Sequence, residues 1–87
     1  MEEQAFHTLQ AKLDAFYTWP SVYTFKFIVP APTINELEEI FAGKPIRRRF
    51  SKNARYVSVT AEMEMSSSGE VISYYRRAAE IKGVIAL

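Results

Sequence analysis

The residues that most invite a chemical reading are Arg47, Arg48 and Arg49, three cations in a row, with Lys52 and Arg55 close behind. Clustered guanidinium groups suit a phosphate-binding surface, because each offers a fork of donors to an anion. In an extended strand, however, successive side chains alternate between faces. Ile46 and Phe50 set the inward phase, which places Arg48 toward the core side and Arg47 and Arg49 on the other. The three arginines therefore make no single patch. Charge on an edge strand also keeps that strand from pairing with other chains, and this is the simpler use of them.

Other reactive types are sparse. Glu62 and Glu64 share one strand face, about 7 Å apart by strand rise. Paired carboxylates do acid–base work only in a cleft that shifts their titration, and on an open strand they are solvated. His7 is the only histidine and the chain has no cysteine. That removes thiol catalysis, disulfides and cysteine metal sites, and His7 has no second imidazole with which to share a metal. Three glycines in all leave no phosphate-cradling loop. Met63 and Met65 fall on the apolar phase of a strand and read as gap-fillers. No cofactor is expected, and no set of residues supports an enzyme.

The elements that position these residues are legible from periodicity. The chain has 87 residues, enough for one domain, and 48% are apolar, enough for a core. An N-terminal helical segment over 1–18, regular over 3–17, carries Phe6, Leu9, Leu13 and Phe16 on one stripe. Trp19-Pro20 ends it. Residues 21–29 form a strand with Tyr23, Phe25, Phe27 and Val29 inward, and Val22, Thr24, Lys26 and Ile28 outward. After Pro30-Ala31-Pro32, Thr33 and Glu36 make a capping box for a second helix that buries Ile34, Leu37, Ile40 and Phe41. Gly43 and Pro45 punctuate its end.

Strands over 46–51 and 55–65 are joined at Lys52-Asn53-Ala54, where Asn53 is expected to take positive φ. In the second of them Val57, Val59, Ala61, Met63 and Met65 alternate with polar residues, the mark of burial on one face. Ser67 and Glu70 make a second capping box. The helix that follows runs to about Ile81, with Gly83 as its cap, and Val84–Leu87 is a last short strand.

After the first helix the order is β-α-β-β-α-β, the ferredoxin-like split βαβ motif. The fold class is α+β: a four-stranded antiparallel sheet of order 4-1-3-2 with two helices on one face, spanning 21–87, plus the extra N-terminal helix. Right-handed crossovers fix the side on which the two helices lie. The extra helix could cover the open sheet face, extend the helical layer or contact another subunit. RNA-recognition domains share this topology and stack bases on aromatics of the central strands. Here Tyr56 is the only outward aromatic on those strands, and Glu62 and Glu64 repel phosphate.

Two stretches, "WPSVYTFKFIVP" and "SKNARYVSVTAEM", resemble the first strand and central hairpin of the YbeD-like family, small bacterial proteins of unknown function. The resemblance runs from about Phe16 to Leu87. It is carried by Pro20, Tyr23-Thr24-Phe25-Lys26, Pro30, Ser51-Lys52, Tyr56 and Ser58-Val59. Family members often have glycine in the hairpin turn, where this chain has Asn53-Ala54. The resemblance implies an architecture similar to ACT-type regulatory modules, which bind small effectors at a glycine-containing loop after the first strand. The corresponding loop here, Val29–Thr33, has no glycine.

The expectation is a small non-enzymatic regulatory or interaction module that binds a protein or a small-molecule effector. Its candidate contact residues are Ser51, Lys52, Tyr56 and Ser58, joined by Arg47 and Arg49. The alternative is a weak nucleic-acid binder using Arg47, Arg49, Lys52 and Arg55. The net charge of +1 is too balanced to favour that alternative. The N-terminus, MEEQAF, lacks an apolar signal segment, and no apolar run reaches the ~20 residues that span a bilayer. A cytoplasmic monomer or homodimer without membrane contact is expected.

Overall fold

The computed structural model describes residues 3–87. Its elements are α1 (Glu3–Phe16), β1 (Ser21–Pro30), α2 (Ile34–Ile40), β2 (Ile46–Phe50), β3 (Tyr56–Met65), α3 (Ser68–Ala78) and β4 (Ile85–Ala86). The strands form one sheet in the order β2-β3-β1-β4, the expected order read from the opposite edge, with every pairing antiparallel. Residues 1 and 2 of the expected N-terminal segment lie outside the described residues.

The central pair sets the frame. β1 and β3 run side by side for ten residues, from Ser21 opposite Met65 to Pro30 opposite Tyr56. This register puts Phe25, Phe27 and Val29 on the same face as Val57, Val59 and Ala61, and all six are buried. Leu37 and Phe41 from α2 and its end, and Val71, Ile72 and Tyr75 from α3, pack on them, and Met63, Met65, Ala78 and Ile81 extend the same core. Phe25 sits at its centre, within 5.5 Å centroid distance of the rings of Phe41, Tyr74 and Tyr75. Non-polar burial of this kind supplies most of the drive to fold.

The N-terminal helix extends the helical layer. α1 lies along α3: the Arg76 guanidinium sits 4.5 Å over the Phe6 ring and pairs with Glu3, while Gln10 Nε2 donates to Ser68 Oγ at 3.3 Å. Phe6 and Leu13 are buried, but Phe16, expected on the same stripe, is 84% exposed. Tyr17, four residues after Leu13, takes the inward place. Its ring stacks on Trp19 at 5.2 Å and meets Tyr23 edge-on at 5.7 Å.

Local signals also resolve differently. Thr33 does not cap α2 through its side chain, because a 3-10 turn over Ala31–Thr33 precedes the helix and Thr33 Oγ1 donates instead to the Pro30 carbonyl at 2.8 Å. Ser67 does cap α3, accepting from the Glu70 amide at 3.1 Å, while Glu70 Oε1 reaches back one residue further to the Ser66 amide at 2.8 Å. α3 stops at Ala78 rather than near Ile81 because the chain tightens into i+3 bonds, with the Ile81 amide donating to the Ala78 carbonyl at 3.0 Å. Gly83 then takes φ +80, and a Cβ there would sit 2.8 Å from Pro30 Cγ. β4 shortens to two residues.

Candidate functional site

With all three helices on one side, the other face of the sheet is bare. Its residues are the outward phase of each strand. Across the sheet, Arg47 lies beside Thr60, Thr60 beside Lys26, and the Leu87 amide donates to the Lys26 carbonyl at 2.9 Å. The next row is Arg49, Ser58, Ile28 and Ile85. Among the described residues six large apolar side chains are exposed, and four belong to this face: Val22 (60%), Tyr56 (47%), Ile85 (51%) and Leu87 (63%). Phe50 lies in the opposite phase at a strand end, and Phe16 lies on α1. Val22 and Tyr56 stand at opposite ends of this face, and Ile85 and Leu87 lie along its β4 edge, with charged residues between them.

The expected alternation along β2 is present. Arg48 projects to the helix side, where its Nη1 donates to Glu38 Oε2 at 2.7 Å. Arg47 projects to the open side and meets Glu62 Oε1 at 2.8 Å across two strands. Both pairs are exposed, so each contributes little to stability. Among the described residues, Lys26, Arg49, Lys52, Arg55 and Glu64 make no ion pair. The unpaired cations gather toward the hairpin end, and Glu64 stands at the far end. Glu62 and Glu64 lie on the open strand face, where Glu62 lines a shallow hollow with Pro45, Ile46, Arg47 and Thr60. They are exposed carboxylates rather than an acid–base pair, and Glu62 is committed to Arg47.

The hairpin turn is built by side chains. Ala54, not Asn53, takes positive φ, at 59°. Asn53 is held by its carboxamide instead: Oδ1 accepts from Ser51 Oγ at 3.1 Å and from the Arg55 amide at 3.2 Å. Ser51 Oγ in turn accepts from the Tyr56 amide at 3.1 Å, and the Ala54 amide donates to the Ser51 carbonyl at 2.9 Å. The Ser51 hydroxyl is therefore engaged in the turn. Ser58 Oγ points to the Arg49 carbonyl at 3.4 Å. Lys52, Tyr56 and Arg49 keep their side-chain polar groups available. Lys26, Ile28 and Ile85 join them, three residues beyond those expected from the sequence. The outward phase of β1 was the signal for Lys26 and Ile28.

The loop after β1 is poorly built for a small effector. Pro30 and Pro32 have no amide hydrogen, the Ala31 amide donates to the Arg55 carbonyl at 2.8 Å, and the Ile34 amide turns back to the Ala31 carbonyl. Few donors remain for an effector carboxylate. A half-open cleft of about 490 Å³ lies instead between the end of α3 and β4, floored by Phe27, Tyr75, Ala78 and Ile81. Its size suits a small ligand, but Glu80 and Lys82 supply its only charged side chains.

Tyr23 and Tyr75 share a hydroxyl–hydroxyl hydrogen bond of 2.9 Å at the edge of the core. Burial, and then the bond to Tyr23, push the Tyr75 phenol above its ordinary value. It is a part-buried pair that ties β1 to α3. Comparison with protein-family models, with curated proteins and with solved structures finds no match to this chain.

Proposed function

We propose that this chain is a non-enzymatic interaction module of ferredoxin-like build, similar in architecture to ACT-type regulatory domains, that binds a protein partner through the uncovered face of its sheet. The observation that carries the reading is the placement of α1 on the helical side. It leaves Val22 facing solvent beside Glu64, and Ile28, Tyr56 and Ile85 facing solvent toward the cations that have no ion-pair partner, whereas the loop after β1 has turned its amides inward. A partner surface of mixed apolar and acidic character complements this face. Arg49, Lys52 and Tyr56 are its hairpin-end contacts, with Lys26 at its middle.

Affinity capture from nuclease-treated lysate tests the proposal, comparing the unaltered chain with Arg49→Glu, Tyr56→Ala and a helix-side control, Lys12→Glu. The expected result is that the two open-face changes lose the captured protein while Lys12→Glu keeps it. Capture that ignores the open-face changes refutes the reading. The nucleic-acid alternative makes a different prediction: binding to duplex DNA whose log affinity falls with log salt by about 0.9 for each phosphate contacted.

A further inference from the structure

Along the strands the open face changes sign. Its rows, about 7 Å apart, follow the register: Val22 beside Glu64; Thr24 beside Glu62; Lys26 beside Thr60, then Arg47; Ile28 beside Ser58, then Arg49; Pro30 beside Tyr56. The first two rows are acidic and the next two basic. Resting on the reading of this face as a contact surface, we propose that its partner is a second copy of this chain, docked sheet on sheet about a two-fold axis that crosses the strands.

The symmetry argument is restrictive. In a two-fold pair the same patch meets itself, and each residue faces the one related to it by the axis. An axis parallel to the strands would lay acidic rows on acidic rows. An axis across the strands reverses their order. Set between the Glu62 and Thr60 rows, it brings the Val22–Glu64 row over the Ile28–Ser58–Arg49 row, and the Thr24–Glu62 row over the Lys26–Thr60–Arg47 row. Val22 then meets the partner copy's β1 at Ile28, an apolar contact. Glu64, unpaired within its own chain, comes over Ser58 with Arg49 beside it. Lys26 comes over Thr24 with Glu62 beside it. Glu64 and Arg49, unmatched in one copy, are matched in two, which is how complementary potentials select a partner.

Edge pairing is the poorer route to a dimer. A two-fold antiparallel join at the free edge of β2 would set Arg47 against Arg49 and Arg48 against Arg48. The face itself offers about 500 Å² of footprint per copy, roughly 1,000 Å² in the pair, the lower bound for a specific interface. The dimer is accordingly weak and reversible.

Sedimentation equilibrium of the full chain, from about 5 to 500 µM at low salt, tests this at concentrations suited to an interface of that size. The expected result is a reversible monomer–dimer equilibrium. Arg49→Glu and Glu64→Arg should each weaken it about tenfold or more, since each sets like charges against one another. The double variant, with the charges exchanged, should recover to within about threefold of the unaltered chain. All these positions are exposed, and a thermal melt of each variant confirms folding. A chain that stays monomeric, single reversals without effect, or a double variant that fails to recover each overturn self-pairing. Added polyglutamate or a single-stranded oligothymidylate, bound by a monomer through Arg49, would name another occupant and overturn it as well. None of these outcomes decides the open-face reading, which stands or falls on the capture experiment.

Discussion

Ala54 is the one non-glycine residue with positive φ among the described residues, and replacing it by glycine should stabilise the protein. A side chain in the left-handed region costs about 1–2 kcal/mol through the clash of its Cβ with the backbone. Glycine removes that clash, but it frees the unfolded chain and returns about 0.4–1 kcal/mol of it. The net gain is about 0.5–1 kcal/mol, because residue 54 is exposed and its methyl packs on no core residue. For a chain of this size that corresponds to a rise in Tm of roughly 2–8 °C. The assay is thermal and urea denaturation followed by circular dichroism and by the single tryptophan, with an unchanged urea slope expected. Asn53→Gly is the paired control. It deletes the carboxamide that holds Ser51 Oγ and the Arg55 amide, so it should destabilise by about 0.5–1.5 kcal/mol. Stabilisation by Asn53→Gly together with a neutral or harmful Ala54→Gly would refute this account of the turn.

Three further outcomes follow from packing and titration. Gly83→Ala should destabilise by more than about 1 kcal/mol, since φ is +80 and the new Cβ would press on Pro30; a neutral urea midpoint would contradict the contact. Phe6→Ala should cost about 3–5 kcal/mol and Phe16→Ala less than about 0.5 kcal/mol, because only Phe6 is buried; the reverse order would mean α1 presents its other face. Tyr75 holds its proton more tightly folded than unfolded, so its contribution is complete below about pH 10 and is lost as pH rises past that value. Tyr75→Phe should therefore lower the urea midpoint at neutral pH yet flatten its decline in alkali, and an unchanged alkaline slope would contradict the assignment.

What the sequence reveals here is what periodicity can encode. The alternation over residues 56–65 fixes both the strand and its inward phase, because a one-residue slip would turn every apolar side chain to water. The same rule placed Tyr23, Phe25, Phe27 and Val29 correctly and separated Arg48 from Arg47 and Arg49. Periodicity does not say what an apolar stripe packs against. The stripe of α1 was compatible with the sheet's open face, and only its placement beside α3 leaves that face bare. Phe16 falls on the inward spacing, but the chain leaves the helix there and Tyr17 occupies the site. Asn53 suits positive φ by its type, but it holds the turn through its carboxamide while Ala54 takes the left-handed position. Ser51 has the polarity of a contact residue, but its hydroxyl is committed to the turn. Polarity marks a group that needs a partner, not where the partner lies.

The most direct test of the central idea, that the uncovered sheet face pairs with a second copy of this chain, is a methyl spectrum of the isoleucine- and valine-labelled chain as its concentration is raised. The account predicts concentration-dependent shifts at Val22, Ile28 and Ile85, with Val57, Val59 and Val71 in the core unmoved. Shifts confined to Ile34, Ile40 or Ile72 on the helical side, or none at any concentration, would contradict it.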